Sequence, residues 1–150
     1  MSRDRGGSRS RQRARELLVK ALYQWQLAGH SPAEITAQFA AEDDFERCDR
    51  EYFGALLAIA IENVTVLDAL IARQAAQGLE RLDAVGRAIL LLALAELKYR
   101  DDVPTKVVIN EAVELAKRYG AAESYKFVNA LLDRTARDLR RGPEPAEAKA

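Results

Sequence analysis

Apolar residues recur every three or four positions along most of the chain, which is the spacing of amphipathic helices. The first such segment spans Ser10–Ala28, and Gly29 and His30 follow it directly. Its apolar stripe comprises Ala14, Leu17, Leu18, Ala21, Leu22, Trp25 and Ala28. The spacing therefore predicts a first helix with one face turned towards a core.

The same periodicity predicts further helices with recognisable starts and stops. A short second helix follows Ser31 and Pro32, an N-cap and a first-turn proline, and ends near Ala41. A long third helix begins after Asp49 and ends near Gly78. The others are Ala84–Arg100 (capped by Asp83 and apolar all round at its centre), Pro104–Tyr119, and a last one from Ala122 or Ser124 to Leu139. Since no segment alternates like a strand, the fold class is all-α, a bundle of six or seven helices with short connections.

The length of 150 residues suits a single domain with one sizeable core. Residues 1–8 contain two glycines and no apolar periodicity, so we expect a disordered basic N-terminal arm. Residues 9–140 form the helical domain. Residues 141–150 are rich in Pro, Glu and Ala, which predicts a disordered tail.

Charge is balanced overall but unevenly distributed. Residues 1–15 hold six Arg and one Asp, a net of +5, whereas residues 16–150 hold 17 basic and 22 acidic residues, a net of −5. A basic arm on a mildly acidic body indicates one localised anion-binding surface.

Four arginines, Arg9, Arg11, Arg13 and Arg15, precede or enter the first helix. A helix N-terminus carries partial positive charge, so each cation there is unfavourable by ~0.3–1 kcal/mol at low salt. Bound phosphates would remove this conflict by pairing with guanidinium and free backbone N–H groups. This favours RNA or DNA binding, while a solubilising basic tail remains the alternative.

Two aromatic residues could add base stacking to such a surface. Arg11, Arg15, Val19 and Tyr23 follow one another at four-residue spacing, which places two arginines and one aromatic on a row. Phe127 lies off the main apolar stripe of the last helix. Tyr23 could instead lie at the rim of the core, and Phe127 could pack under a neighbouring helix.

The residues give no support to an enzyme, a cofactor or a metal site. The chain lacks glycine-rich phosphate loops, and one Cys and one His allow no disulfide within it and argue against a Cys/His metal site. Glu96 ends the most apolar helix, where a hydrogen-bonded or solvated carboxylate is favoured over a buried general acid.

The N-terminus has no apolar signal-peptide core, and the longest apolar run, Ala88–Ala95, is shorter than the roughly 20 residues that span a bilayer. We therefore expect a soluble cytoplasmic protein with no membrane partner.

Three segments of the chain, at Asp102–Asp133, residues 11–26 and residues 88–97, resemble the NusB family of bacterial transcription antitermination factors. The signature region of that family is similar to DVPTKVVINEAVELAKRYGAAESYKFVNALLD at Asp102–Asp133. Its start resembles RQRARELLVKALYQWQ at residues 11–26, and its central helix resembles AILLLALAEL at residues 88–97. The resemblance covers about residues 11–139.

The resemblance implies a NusB-like bundle of two small helical subdomains, with residues 9–140 as an RNA-binding domain. It implies binding to single-stranded boxA RNA in nascent ribosomal RNA leaders. It also implies two protein partners, the small-subunit ribosomal protein NusE and the RNA polymerase elongation complex with other Nus factors.

The family's functional residues can be carried over by position. The RNA-binding set then comprises Arg11, Arg13, Arg15, Tyr23, Glu123 and Phe127. The surface for the ribosomal protein would involve Arg87, Glu96, Tyr99 and Lys106. Because a carboxylate repels phosphate, Glu123 would limit affinity or accept a hydrogen bond from a base.

The chain departs from the family pattern at Gln12, Gly86 and Ala130. Gly86 stands inside a predicted helix, where glycine costs roughly 1 kcal/mol relative to alanine. Two alternatives to the antitermination hypothesis remain: a helical protein-interaction module, and an RNA-binding fragment of a ribosomal RNA methyltransferase.

Overall fold

Helices account for most of the structure, a computed structural model that describes the backbone of residues 2–8 and all atoms of residues 9–75 and 82–139. The elements are α1 Ser2–Ala28, α2 Pro32–Ala40, a 3₁₀ helix Asp43–Arg47, α3 Arg50–Glu62, α4 Val64–Gln74, α5 Ala84–Tyr99, α6 Thr105–Tyr119 and α7 Ser124–Asp138. Strands are absent from these residues, and the all-α prediction is confirmed.

The predicted caps fix several helix starts. Ser31 and Glu34 form a reciprocal capping box at α2, in which each side chain accepts a hydrogen bond from the other's backbone N–H. The carboxylate of Asp49 accepts a hydrogen bond from the N–H of Tyr52 at α3. Asp83 accepts one from the N–H of Gly86 at α5, at 2.7 Å. Each cap satisfies a backbone donor that the first turn leaves free.

Helix α5 forms the centre of the molecule. Every residue from Ala88 to Leu97 is buried, as the apolar sequence of this helix predicts. It packs against α1, α3, α4, α6 and α7. The 3₁₀ helix, α1, α2 and α3 contact one another on one side of the fold, while α6 and α4 both pack against α7 on the other. These two groups correspond to the expected subdomains, and α5 joins them.

The first helix is longer than predicted, because α1 begins at Ser2 and not near Ser10. Residues 2–8 are thus helical where we expected a disordered arm. Extending an existing helix by one residue costs far less than nucleating a new one, and arginine is a good helix former. The predicted tail at 141–150 lies outside the described residues.

The predicted third helix is two helices, α3 and α4, whose axes differ by 73°. The bend occurs at Asn63, whose side-chain amide donates to the carbonyl of Ile59 at 2.8 Å. Asparagine competes in this way with the backbone of a helix, which explains the break. The expected end at Gly78 lies outside the described residues.

No single described helix is long and apolar enough to cross a membrane, although the bent α3–α4 pair reaches the required length and hydropathy by composition alone.

Candidate nucleic-acid interface

A buried ion pair lies beneath the predicted arginine cluster. Arg15 is 3% exposed, and its Nε donates to Oε2 of Glu96 at 2.9 Å. The hydroxyl of Tyr52 donates to the same carboxylate oxygen. Burial raises the pKa of Glu96, while Arg15 and the hydrogen bond from Tyr52 act in the opposite direction. The pair joins α1, α3 and α5 at one point.

This geometry corrects two predicted surface residues. Arg15 was expected to contact RNA and Glu96 to face a protein partner, but both side chains lie in the interior. A guanidinium stays charged when it is buried, so a close counterion must offset the cost of removing it from water, and Glu96 supplies that counterion. Each residue therefore acts on the surface through the groups that it positions. The expectation that Glu96 is a hydrogen-bonded carboxylate is confirmed.

The ring of Tyr52 contacts the guanidinium groups of two further arginines. The guanidinium carbon of Arg11 lies 4.1 Å from the ring centroid, and that of Arg100 lies 4.9 Å from it. Both distances suit cation–π attraction. Arg11, with a side chain that is 34% exposed, also approaches Asp49 at 3.6 Å and Asp102 at 3.7 Å. Arg11 is thus held at the surface over an aromatic ring.

Arg100 and Asp102 form a two-bond ion pair beside this ring. The Nε and Nη2 atoms of Arg100 donate to the two carboxylate oxygens of Asp102 at 2.9 and 3.0 Å. This hydrogen-bonded guanidinium lowers the pKa of Asp102 to about 2. The pair follows the end of α5 and fixes a guanidinium group, neutralised by Asp102, beside the ring of Tyr52.

Arg13 lies on the surface of α1 and shares a carboxylate with α6. Its Nη1 atom lies 3.4 Å from Oε1 of Glu16, and Arg118 at the end of α6 donates to the other oxygen of Glu16. Nearby, the side-chain amide of Gln12 donates to Glu111 of α6 at 3.1 Å. These contacts connect the predicted RNA-binding part of α1 to α6.

The two predicted stacking residues are both exposed, Tyr23 at 40% and Phe127 at 38%. Tyr23 lies twelve residues after Arg11, or roughly 18 Å along α1. Phe127 lies in the first turns of α7, which contacts the end of α6 through Lys117 and the ring of Tyr125, 5.1 Å apart. Both aromatic side chains are therefore available for stacking.

Glu123 precedes α7 with a backbone conformation that is unusual for its type. Its φ of 64° is left-handed, a region that costs a non-glycine residue of order 1 kcal/mol or more. Its carboxylate lies 3.1 Å from Nζ of Lys126. The predicted RNA-binding residue is thus exposed next to a cation that partly neutralises it.

The four residues expected to face a protein partner do not form one patch. Arg87 donates to both oxygens of Asp68, at 3.0 and 2.6 Å, and to Gln26 at 3.2 Å, so it clamps α5 to α4 and α1. Tyr99 is partly buried and Lys106 is exposed near the other end of α5. Twelve residues of helix, roughly 18 Å, separate Arg87 from Tyr99.

The local structure explains why glycine stands at position 86 of this chain. A Cβ atom at this position would lie 2.9 Å from Cδ1 of Leu82 and 3.0 Å from the capping oxygen of Asp83. The glycine allows Leu82 and the cap to lie close to the first turn of α5. Ala130 is exposed on α7, and nothing in its surroundings explains this departure.

Three residues of the interface were not predicted from the sequence: Tyr52, Arg100 and Arg118. The pairing of Arg15 with Glu96 could have been predicted from the sequence. Both residues stand among apolar residues of helices, and buried charges of opposite sign usually pair. Tyr52 is 2% exposed and belongs to the core, but its hydroxyl donates to Glu96 and its ring contacts Arg11 and Arg100. For Arg100 and Arg118 the sequence contains no comparable signal.

Comparison with known proteins places these features in a family. The sequence profile described as the NusB family matches residues 12–137. The transcription antitermination protein NusB of Photorhabdus laumondii is 50% identical over 132 residues, covering 88% of this chain and 96% of that protein. A structure of T. maritima NusB has a TM-score of 0.72 at 32% identity, covering 93% of this chain and 97% of that one. A structure of the antitermination factors NusB and NusE in complex with dsRNA has a TM-score of 0.68 at 28% identity, covering 92% and 99%.

Proposed function

The chain belongs to the NusB family, and on this premise we propose that it is a transcription antitermination factor. We propose that it binds the boxA RNA of nascent ribosomal RNA leaders, as the family resemblance implies, together with the ribosomal protein NusE. The related structure of NusB and NusE in complex with dsRNA supports an RNA-binding role that involves both proteins. With other Nus factors it helps the elongating RNA polymerase complex to resist premature termination. We further propose that it acts in the cytoplasm and by binding, without catalysis.

The observation that carries the RNA-binding site is the exposed guanidinium pair at the start of α1. Arg11 and Arg13 have partly exposed side chains, and their contacts with Asp49, Asp102 and Glu16 are 3.4–3.7 Å long. Ion pairs of this kind at a surface contribute only ~0–1 kcal/mol. A phosphate can therefore replace these carboxylates at small cost.

The buried pair of Arg15 and Glu96 supports the site from below. It holds the hydroxyl of Tyr52, and the ring of Tyr52 in turn carries Arg11. A guanidinium that is already oriented loses less conformational entropy when it meets a phosphate. Tyr23 and Phe127 supply stacking surfaces, worth ~1–3 kcal/mol per base.

For the ribosomal partner we propose the end of α5 and the start of α6, at Tyr99 and Lys106. Lys106 is exposed on the first turn of α6, and Tyr99 is partly exposed. Glu96 and Arg87 contribute to this surface only indirectly, by fixing α5 against α1, α3 and α4.

The test is fluorescence anisotropy with a boxA single strand and a scrambled strand of equal length. Each RNA is titrated with the full chain, with and without NusE, at about 50 and 200 mM salt. We expect tighter binding to boxA, and a preference that increases when NusE is present. Equal affinity for both strands under all four conditions would contradict the proposal. It would leave the arm as a polyelectrolyte and favour the protein-interaction alternative.

A further inference from the structure

Arg118 lies at the junction between the two separated parts of the predicted RNA surface. Its side chain is 61% exposed and donates to Glu16 of α1, the same residue that Arg13 contacts at 3.4 Å. Two guanidinium groups from different helices thus share one carboxylate, one on each oxygen. A phosphate also offers two or more oxygens to guanidinium donors, so it can occupy the position of this carboxylate.

The α6–α7 turn brings α7 close to the end of α6 that carries Arg118. Gly120 ends α6, and a Cβ atom there would lie 2.5 Å from Oγ of Ser124 and 2.8 Å from the carbonyl oxygen of Ala116. Only glycine permits so close an approach, which directs the start of α7 back across the last turn of α6. Lys117 then meets Tyr125, while its neighbour Arg118 meets α1. The last turn of α6 therefore contacts both the arginine-bearing part of α1 and the start of α7, the helix on which Phe127 lies.

We infer that Arg118 is a further RNA-binding residue, and that Glu16 pairs with Arg118 and Arg13 until an RNA phosphate displaces it. The inference rests on the proposed function and extends its site. It gives the RNA backbone a cation between Arg13 on α1 and the stacking side chain of Phe127 on α7. It also makes the ion pair between α1 and α6 part of the binding equilibrium.

The alternative is that Arg118 and Glu16 only link α6 to α1. Such an exposed pair contributes little to stability, so unfolding measurements alone do not separate the two roles. The salt dependence of RNA binding does, because each phosphate contact to a single strand adds about −0.7 to the slope of log affinity against log salt. A purely structural pair leaves that slope unchanged.

The test compares Arg118→Gln with Arg73→Gln, which removes the same charge from an exposed site on α4. A labelled boxA strand is titrated by anisotropy at several salt concentrations. For Arg118→Gln we expect a slope smaller by ~0.7 and an affinity about fivefold weaker near 0.1 M salt. Arg73→Gln should keep the slope and nearly the affinity of the unmodified chain. An unchanged slope in Arg118→Gln overturns the inference.

Two further variants separate this inference from the proposed function. Arg11→Gln tests the function itself: if it lowers the affinity and the slope while Arg118→Gln does not, only the inference fails. If neither variant changes boxA binding, the proposed RNA site fails as well. Glu16→Gln tests the displacement. When it is introduced into the otherwise unmodified chain, we expect the affinity for boxA to increase. When it is introduced together with Arg118→Gln, we expect a smaller increase. Equal gains in both backgrounds overturn the displacement, because the carboxylate then acts by distant charge alone.

Discussion

A buried charge pair supports an exposed charge cluster at the start of α1. Glu96 accepts hydrogen bonds from Arg15 and Tyr52, and the ring of Tyr52 carries Arg11 and Arg100 on the outside. Removing two charged groups from water is costly, so the net contribution of a buried ion pair to the free energy of folding is often small. The pair is therefore better explained by the orientation it gives to Tyr52 and Arg11 than by net stability.

Replacing Arg15 by leucine should destabilise the fold strongly. Glu96 would remain buried without its main counterion, so we expect a loss of about 3–5 kcal/mol in the free energy of unfolding, measured in urea near neutral pH. Because burial raises the pKa of Glu96 and Arg15 opposes this, the variant should lose less stability at acidic pH, where Glu96 is protonated. Arg13→Leu, a partly exposed neighbour, should change stability by less than about 0.5 kcal/mol. A stable Arg15→Leu chain that cannot bind RNA would instead restore Arg15 as a direct contact.

The pKa of Asp102 provides a direct test of its ion pair with Arg100 at the surface. Its pKa is lowered to about 2 from an ordinary value of 3.8, chiefly by the hydrogen bonds from Arg100. The stabilising contribution of this ion pair is present above the ordinary pKa and is lost as pH falls through about 2. NMR titration of the side-chain carboxyl carbon of Asp102 should give a midpoint near pH 2, and Arg100→Gln should move this midpoint back towards 3.8. A midpoint that does not respond to this substitution would disprove the pairing.

The error at Arg15 has a geometric origin. Four-residue spacing advances a helix by about 400°, so each step along a row drifts by ~40° and three steps drift by ~120°. Arg15 and Val19 therefore stay on the buried face of α1, and Tyr23 leaves it. Arg11 shares the direction of the buried Leu18 and Leu22, seven and eleven residues further on, so its partial exposure comes from its place along the helix and not from drift. Sequence spacing located the residues on one helix, but burial depends on the helices packed against it.

At the level of elements, most boundaries follow from local signals. Ser31, Asp49 and Asp83 cap the helices that they were expected to cap. The bend at Asn63 was missed because the apolar periodicity continues through it, and the only local signal is one asparagine, whose side chain and backbone N–H both donate to the carbonyl of Ile59. Caps are local chemistry and can be predicted, whereas a change of direction depends on the core that both halves must cover.

A pair of glycine substitutions tests how local geometry sets the α6–α7 turn. Gly120→Ala places a Cβ atom 2.8 Å from the backbone oxygen of Ala116, so we expect a loss of about 1–3 kcal/mol in the free energy of unfolding. Gly54→Ala is the matched control, since a Cβ atom within α3 would meet nothing within 4 Å. It should stabilise the chain by ~0.5–1 kcal/mol, because alanine favours the helix. Thermal or urea unfolding of both variants measures the difference, and equal effects would contradict the tight turn.

At the scale of the whole molecule, the proposed RNA surface crosses three helices. Arg11 and Arg13 come from α1, Arg118 from α6 and Phe127 from α7, and α5 packs against all three helices. The fold class and the family were predictable, because they depend on periodicity and on motifs along the chain. The junction at Arg118 was not, because Glu16 and Arg118 are 102 residues apart and meet only in the folded molecule.

A surface of this extent should separate into electrostatic and stacking contributions at different positions. Phe127→Ala and Tyr23→Ala should each weaken boxA binding by ~1–3 kcal/mol and leave the salt slope unchanged, because stacking displaces no counterions. Leu27→Ala is the control, since Leu27 is 68% exposed on α1 only four residues after Tyr23 and should affect neither quantity. Anisotropy titrations of the three variants over a range of salt concentrations measure both quantities. If Phe127→Ala changed the slope and not the affinity at high salt, α7 would contribute through charge, and its aromatic ring would not be a stacking site.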